Sequence, residues 1–174
     1  YAPHHRRVTP DLAQDGTSGK ALIRQRSERL LEQAARRGDL QVIILRAGDF
    51  YGPDSAGTWF DLAMLREAGK GRLALMGRPG IGHAWAYLPD LGRAFEKLAW
   101  HRGEFGAFEN FHFAGNFVTP EVRAGAIQRA APTPLKVSYF PRFVFSMMGL
   151  VNPIMREVAK MGYLWDHPME LADA

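Results

Sequence analysis

One apolar run that ends in a polar cluster constrains the fold more than any other feature of the chain. Residues 40–46 are Leu-Gln-Val-Ile-Ile-Leu-Arg, follow a long helical pattern and precede turn residues. Such a run is typical of a strand buried on both faces, and these strands occur in parallel sheets covered by helices. Ligands of those sheets bind beyond the carboxyl ends of the strands. The sequence therefore predicts a site around Arg46, Asp49 and Tyr51.

Helical and strand patterns alternate along the rest of the chain, which predicts an α/β layer structure. Thr17 or Ser18 can cap the first helix, whose apolar face includes Leu22 and Leu30, and Leu62 is expected to face inward in the second. Helices are predicted at 17–37, 58–68, 89–100, 119–130, 141–149 and 153–165, and strands at 40–46, 73–76, 83–88, 109–114 and 135–139.

The composition excludes several classes of function. The net charge of +4 is spread among mixed charges, which favours a solvated surface over a nucleic-acid interface. The chain has no cysteine, so disulfides, thiolate metal ligands and thiol nucleophiles are excluded, and a cytoplasmic location fits. No metal site is predicted, and the most apolar window, residues 143–151, is too short to span a membrane.

The polar residues that follow the strands have competing interpretations. Arg46 can bind a ligand or form a structural ion pair with Asp49 or Asp90, and the ion pair is favoured. His112 stands in an apolar strand and is interpreted as a core histidine with a hydrogen-bond partner.

A second group of candidates surrounds the glycine-containing turn at 77–82. Arg78, His83 and Tyr87 could line a substrate pocket, and exposed surface positions are an equal alternative. The turn superficially resembles a phosphate-binding loop but lacks the required spacing and the Lys-Ser/Thr pair.

The order of five motifs resembles the second half of the extended short-chain dehydrogenase/reductases, the NAD-dependent epimerase/dehydratase family. The matching segments are Tyr-Ala-Pro at 1–3, Lys-x-x-x-Arg-x-x-x-Glu at 20–28, Arg-Ala-Gly-Asp-Phe-Tyr-Gly-Pro at 46–53, Tyr-Leu-Pro-Asp at 87–90, and the strand and helix start at 111–121.

The resemblance implies the second half of a Rossmann-like parallel sheet with a small C-terminal substrate-binding α/β part. Residues 1–53 would be the remaining strand-helix-strand portion, and residues 54–174 mostly the substrate-binding portion, with late strands and helices returning to the core. The family's glycine-rich strand-helix unit is absent and the chain starts with Tyr1 rather than Met, so we expect a fragment of a longer protein.

The resemblance also implies roles for individual residues. Lys20 stands at the position of the family's catalytic Tyr, and Arg24 at that of its Lys. An arginine stays protonated and cannot act as a base, whereas a lysine can where burial or a neighbouring cation favours its neutral form. The alternative is that both are solvated or bind phosphate. The implied catalytic candidates are Lys20 and Arg24, the cofactor-binding candidates Lys20, Arg46, Asp49 and Tyr51, and the substrate-binding candidates Asp49, Arg78, His83 and Tyr87.

The expected function is thus that of a fragment of an NAD(P)-dependent epimerase/dehydratase-like oxidoreductase acting on a small polar substrate. NAD or NADP would serve the full-length protein. The alternative is a non-catalytic dinucleotide-sensing or partner-binding protein on the same scaffold. The expected partner is a small-molecule substrate, with no nucleic acid and no membrane, and self-association stays open.

Overall fold

The structure, a computed structural model, describes residues 7–55, 57–58, 60–140 and 166–172. The helices predicted at 141–149 and 153–165 lie outside these residues. The described elements are β1 (Arg7–Val8), α1 (Gly19–Arg36), β2 (Val42–Ala47), β3 (Asp49–Tyr51), a π-helix (Phe60–Leu65), a 3₁₀ turn (Ala68–Lys70), β4 (Arg72–Leu75), β5 (His83–Tyr87), α2 (Leu88–Trp100), a second 3₁₀ turn (Arg102–Glu104), β6 (Phe108–Phe113), β7 (Asn116–Val118), α3 (Pro120–Ala130), β8 (Lys136–Tyr139) and β9 (Glu170–Leu171).

The apolar run at 40–46 forms a parallel strand, as predicted. β2 pairs with β6 in parallel, from Val42 opposite Phe108 to Ala47 opposite Phe113. The strand starts two residues later than predicted, and Leu40 is 44% exposed. Val42 is buried while the following residues of β2 are half-buried. β2 is therefore only partly buried, whereas the sequence predicted a strand buried on both faces.

Helix α1 packs on β2 and β6 through a polar face rather than through the predicted leucines. Ser18 caps it, with its hydroxyl accepting a hydrogen bond from the amide of Ala21 at 3.3 Å. Leu22 and Leu30 are 42% and 67% exposed, so the inward orientation predicted for these leucines is wrong, whereas Ala35, also predicted on the apolar face, is 1% exposed. The inward side instead carries Glu28, which forms an ion pair with β2 and thereby sets the rotation of the helix.

Two glycines let β2 and β6 continue into the short strands that flank β5. β2 passes through Gly48 into β3, which pairs with β5 in parallel. β6 passes through Gly115 into β7, which pairs with the other side of β5 in the antiparallel direction. A Cβ at Gly48 would collide with the carbonyl oxygen of Ala84, and one at Gly115 with that of Trp85. Because only glycine permits this close approach, these two positions place β5 between the two extensions.

A hydrophobic core lies between this three-stranded sheet and the parallel pair of β4 and β8. Trp85 joins the buried residues Met64, Leu73, Leu75 and Leu135 in this core. Residues 60–65 form a π-helix rather than part of the predicted α-helix at 58–68. Its wider turn buries Met64 and leaves Leu62 58% exposed, so the inward orientation predicted for Leu62 is wrong.

The short parallel pair of β1 and β9 closes the fold beside β6. His112 is 4% exposed, and its Nδ1 lies 3.1 Å from the backbone oxygen of Val8. The interpretation of His112 as a core histidine is confirmed. Within the described ranges, no helix has both the length and the apolar character needed to cross a bilayer.

Candidate functional site

Four of the predicted site residues lie on one face of the β3–β5–β7 sheet. Asp49 pairs in register with Trp85, and Tyr51 with Tyr87. Side chains alternate along a strand, and paired residues of neighbouring strands point to the same side. Both of these pairs therefore share a face of the sheet with His83. The structure therefore brings together Asp49, Tyr51, His83 and Tyr87 from two separate segments of the sequence.

Aromatic rings form one wall of this face. The centroid of the Tyr51 ring lies 5.3 Å from that of Tyr87 and 5.7 Å from that of Phe60. Asn116 of β7 donates a hydrogen bond from Nδ2 to the Tyr51 hydroxyl at 3.0 Å. Burial raises the pKa of Tyr51, so its hydroxyl stays protonated at neutral pH and is held in place by the Asn116 amide.

A buried arginine from α3 lies across the same face. Arg123 is 8% exposed, and its guanidinium carbon stands 4.3 Å from the centroid of the Trp85 ring. Its Nη2 donates to the backbone oxygen of Met76 at 3.4 Å. Burial lowers the pKa of Arg123 to about 10, although Asp49 and Glu121 favour its charged form. The group thus stays a cation at neutral pH.

The sequence reasoning missed Arg123. Its helical spacing from Pro120, Ala124 and Ile127 was visible in the sequence, but only the structure shows that this side of α3 is the buried one. A buried arginine needs interactions that offset its burial, and here the guanidinium lies over the Trp85 ring and donates to the backbone oxygen of Met76.

Two more titratable groups lie near Arg123 and have shifted pKa values. Burial raises the pKa of Asp49 to about 6, against the opposing influence of Arg123. His83 is 7% exposed, and burial together with the charge of Arg123 lowers its pKa to about 4. At neutral pH the cluster therefore contains an ionised Asp49, a neutral His83 and a charged Arg123.

A cavity of about 260 Å³ opens on this face. The buried Nε of Arg123 and Nε1 of Trp85, both from residues that line it, have no hydrogen-bond partner in the described part of the chain, and neither has the nearby Nε2 of His83. The lining residues are Tyr51, Phe60, Trp85, Asn116, Val118, Val122, Arg123, Ala126 and Ile127.

Arg46 lies in a separate groove of about 300 Å³ between α1 and β2. Its Nη2 stands 2.6 Å from Oε2 of Glu28, and both side chains keep only about a fifth of their exposure (18% and 20%). Gln14 also donates to Glu28. The structural ion pair of Arg46 is thus confirmed, with a partner that the sequence reasoning did not consider.

Of the predicted site residues, Tyr51 lines the cavity, whereas Asp49, His83 and Tyr87 lie on the same sheet face without being among its described lining residues. Lys20 and Arg24 are exposed on α1. Arg78 is 63% exposed at its side chain and pairs with Asp166 at 2.8 Å. The roles predicted for these three residues stay predictions.

The described residues do not form a dinucleotide site by themselves. β5 leads into α2 through Leu88 and Pro89, without the glycine-rich turn on which a pyrophosphate would bind. No cluster of three His, Asp or Glu side chains suited to a metal ion occurs among them either.

The elements, their parallel pairing and the helices that cover them define a mixed α/β, Rossmann-like fold. Two solved structures share it. One is DesIV from Streptomyces venezuelae, a dTDP-glucose 4,6-dehydratase with NAD and TYD bound, at a TM-score of 0.60 and 18% identity over 78% of this chain. The other is described as an epimerase from Burkholderia cenocepacia J2315, at a TM-score of 0.64 and 16% identity over 82% of this chain.

The chain spans only 42% and 46% of the lengths of these two structures. No family model matches the chain, and no curated protein does so either. At these identities the likeness establishes the fold, whereas activity and substrate need their own evidence.

Proposed function

We propose that this chain is the substrate-side portion of an NAD(P)-dependent oxidoreductase of the epimerase/dehydratase type. The observation that carries the proposal is the cavity on the β3–β5–β7 face, where Tyr51, Trp85 and Arg123 converge. The position suits a substrate, because ligands of parallel α/β sheets bind beyond the carboxyl ends of the strands, and Tyr51 ends β3. The NAD bound to the dehydratase DesIV supports a dinucleotide as the cofactor.

The chain would orient the substrate rather than supply the hydride, which is the cofactor's chemistry. Arg123 offers a fixed positive charge, and the Tyr51 hydroxyl a hydrogen-bonding group positioned by Asn116. The apolar wall excludes water and strengthens both interactions. Lys20 stays the proposed proton-transfer group, on the resemblance of its helix to the family's catalytic helix.

A non-catalytic dinucleotide sensor or partner-binding protein is the second candidate. The exposure of Lys20 and Arg24 favours it, since a catalytic lysine usually requires burial or a close charged neighbour. In both candidates the fold is the same, and the difference lies in whether a bound dinucleotide is turned over.

A fluorescence titration of the full-length protein with NADH and with NADPH tests the proposal. We expect binding of at least one dinucleotide, and roughly two- to fivefold weaker binding for Lys20→Ala, the range of an exposed charge contact. Lys97→Ala, an exposed lysine on α2, is the matched control and should bind as the wild type does. If the full-length protein binds neither dinucleotide, the proposal is wrong.

A further inference from the structure

Two of the side chains that line the cavity each carry a buried donor atom. Arg123 Nε and Trp85 Nε1 are buried without partners in the described part of the chain, and neither atom can accept a hydrogen bond. The two side chains are 8% and 5% exposed, so bulk water does not compensate them. Because buried donors without acceptors are unfavourable, the site is complete only when something in the cavity supplies acceptor oxygens.

The charge on Arg123 indicates that the missing acceptor is an anion. Burial does not neutralise the guanidinium at neutral pH. Glu121, the other nearby carboxylate, is already engaged by the Tyr139 hydroxyl and by the Gly80 amide, at 3.2 Å. Asp49 is the other carboxylate whose charge acts on Arg123, and within the described part of the chain no ion pair joins the two side chains. Hydrogen bonds from a charged donor to a carboxylate are among the strongest in proteins.

The size and the lining of the cavity restrict the rest of the ligand. Its 260 Å³ fall below the usual range of about 300–1,000 Å³ for ligand pockets, so the ligand is compact. Phe60, Val118, Val122 and Ile127 form most of the wall, which suits a hydrocarbon or ring. Arg123 Nε–H and the indole N–H of Trp85 are the two N–H groups of these side chains that stay buried without a partner in the described part of the chain. Two donors match the two oxygens of a carboxylate.

We propose that this cavity binds a compact, mostly apolar carboxylic acid, with its carboxylate accepting hydrogen bonds from Arg123 Nε and Trp85 Nε1. This inference rests on the proposed function, since the cavity is its substrate pocket, and it names the substrate class. The sequence analysis led us to expect a small polar substrate, whereas this proposal names a mostly apolar ligand whose polar group lies at one end. Water that merely fills the cavity is the competing occupant, and it would leave no preference for a carboxylate.

An NMR titration with benzoate and with benzamide tests the inference on the full-length protein. The readout is the indole N–H resonance of Trp85, identified by its loss in Trp85→Phe. We expect benzoate to shift this resonance and to bind about tenfold or more tightly than benzamide, because benzamide has the same ring without the charge. Equal shifts and equal affinities for the two probes would overturn the inference.

Two substitutions on α3 separate the role of Arg123 from a general loss of positive charge. Arg123→Gln should weaken benzoate binding about tenfold or more, whereas Arg129→Gln, on the same helix and exposed, should leave it within about twofold. Equal effects of both would contradict the assignment. Trp85→Phe keeps an aromatic ring and removes only the N–H donor. Its affinity for benzoate, measured by calorimetry because the indole resonance is absent from this variant, should be weakened and tests the site even if Arg123→Gln does not fold.

Dinucleotide binding is measured on the same samples, so that the two proposals can fail separately. Benzoate binding without dinucleotide binding would overturn the proposed function and support the carboxylate site. Dinucleotide binding with no preference for benzoate over benzamide would support the proposed function and overturn the carboxylate site.

Discussion

A single buried arginine decides the character of the site at the scale of the residue. Arg123 lies over the Trp85 ring, and its charge opposes the burial that raises the pKa of Asp49 and adds to the burial that lowers the pKa of His83. Asp49 and Tyr51 were predicted as site residues because they follow a strand, and His83 and Tyr87 because they lie on the strand after the glycine turn, but Arg123 was passed over. A helix pattern shows where an arginine stands, whereas its burial depends on the partner strand that the helix covers, which only the tertiary structure supplies.

Asp49 and His83 should oppose each other in the pH dependence of stability. The folded protein keeps the Asp49 proton up to about pH 6 while the unfolded chain loses it near pH 4, so this group makes stability fall as the pH rises through that window. His83 has a pKa of about 4 in the folded protein and its ordinary pKa in the unfolded chain, so it makes stability rise between about pH 4 and 6.5. Each effect is about 3 kcal/mol, and the two nearly cancel.

Single substitutions should reveal the two opposed slopes. Relative to the wild type, Asp49→Asn should gain stability as the pH rises from 4 to 6.5, and His83→Gln should lose it. Urea unfolding at several pH values measures both. If the free energy of unfolding changes with pH in the same way for the two variants and the wild type, the pKa of neither group is shifted as described.

The ion pair between Glu28 and Arg46 should contribute much more to stability than a surface pair does. Removing one charge from a half-buried pair leaves the other without its partner, so Glu28→Gln should lower the free energy of unfolding by about 2 kcal/mol. Glu32→Gln is the matched control on the same helix, since Glu32 pairs with the 76% exposed Arg36, and it should cost at most about 0.5 kcal/mol. Equal losses in urea unfolding would refute the structural role of the Glu28 pair.

At the scale of the element, two glycines allow β3 and β7 to pair with β5 in the three-stranded sheet. Gly48 and Gly115 end the parallel pair of β2 and β6 and let the chain pass against β5. The sequence predicted β2 and β5 but neither β3 nor β7, because three-residue strands have no pattern of their own and form only by pairing with β5. The polar segment after Arg46 was predicted as a site, and the structure adds that it is a strand.

Gly48→Ala should therefore damage the sheet far more than an ordinary glycine substitution does. Its methyl group would collide with the backbone oxygen of Ala84, which cannot move without breaking the pairing, and we expect a loss of about 3 kcal/mol. Gly92→Ala is the control, because Gly92 lies in α2 with no atom near its added Cβ, and it should stabilise by about 0.5–1 kcal/mol. Thermal unfolding measures the effect of each substitution. Equal melting temperatures for the two variants would contradict the close approach of Gly48 to the backbone of β5.

At the scale of the whole molecule, periodicity predicted the fold class and most helix and strand positions, including α3 with its observed end and a start within one residue. It could not predict which strands pair, because register depends on contacts between distant segments such as β2 and β6. The same limit applied to the site, whose wall combines residues from β3, β5, β7 and α3. Arg46 and Asp49 are close in the sequence and were therefore predicted to share a site. In the structure Arg46 instead lies in the groove beside α1.

A crystal structure of the full-length protein grown with NADPH or NADH tests the central claim most directly, because it shows where the nicotinamide ring binds. The account predicts that the ring lies at the carboxyl ends of β2 and β3 and faces the cavity that Tyr51, Trp85 and Arg123 line. A nicotinamide ring bound away from that cavity, or crystals at saturating dinucleotide with none bound, would contradict it.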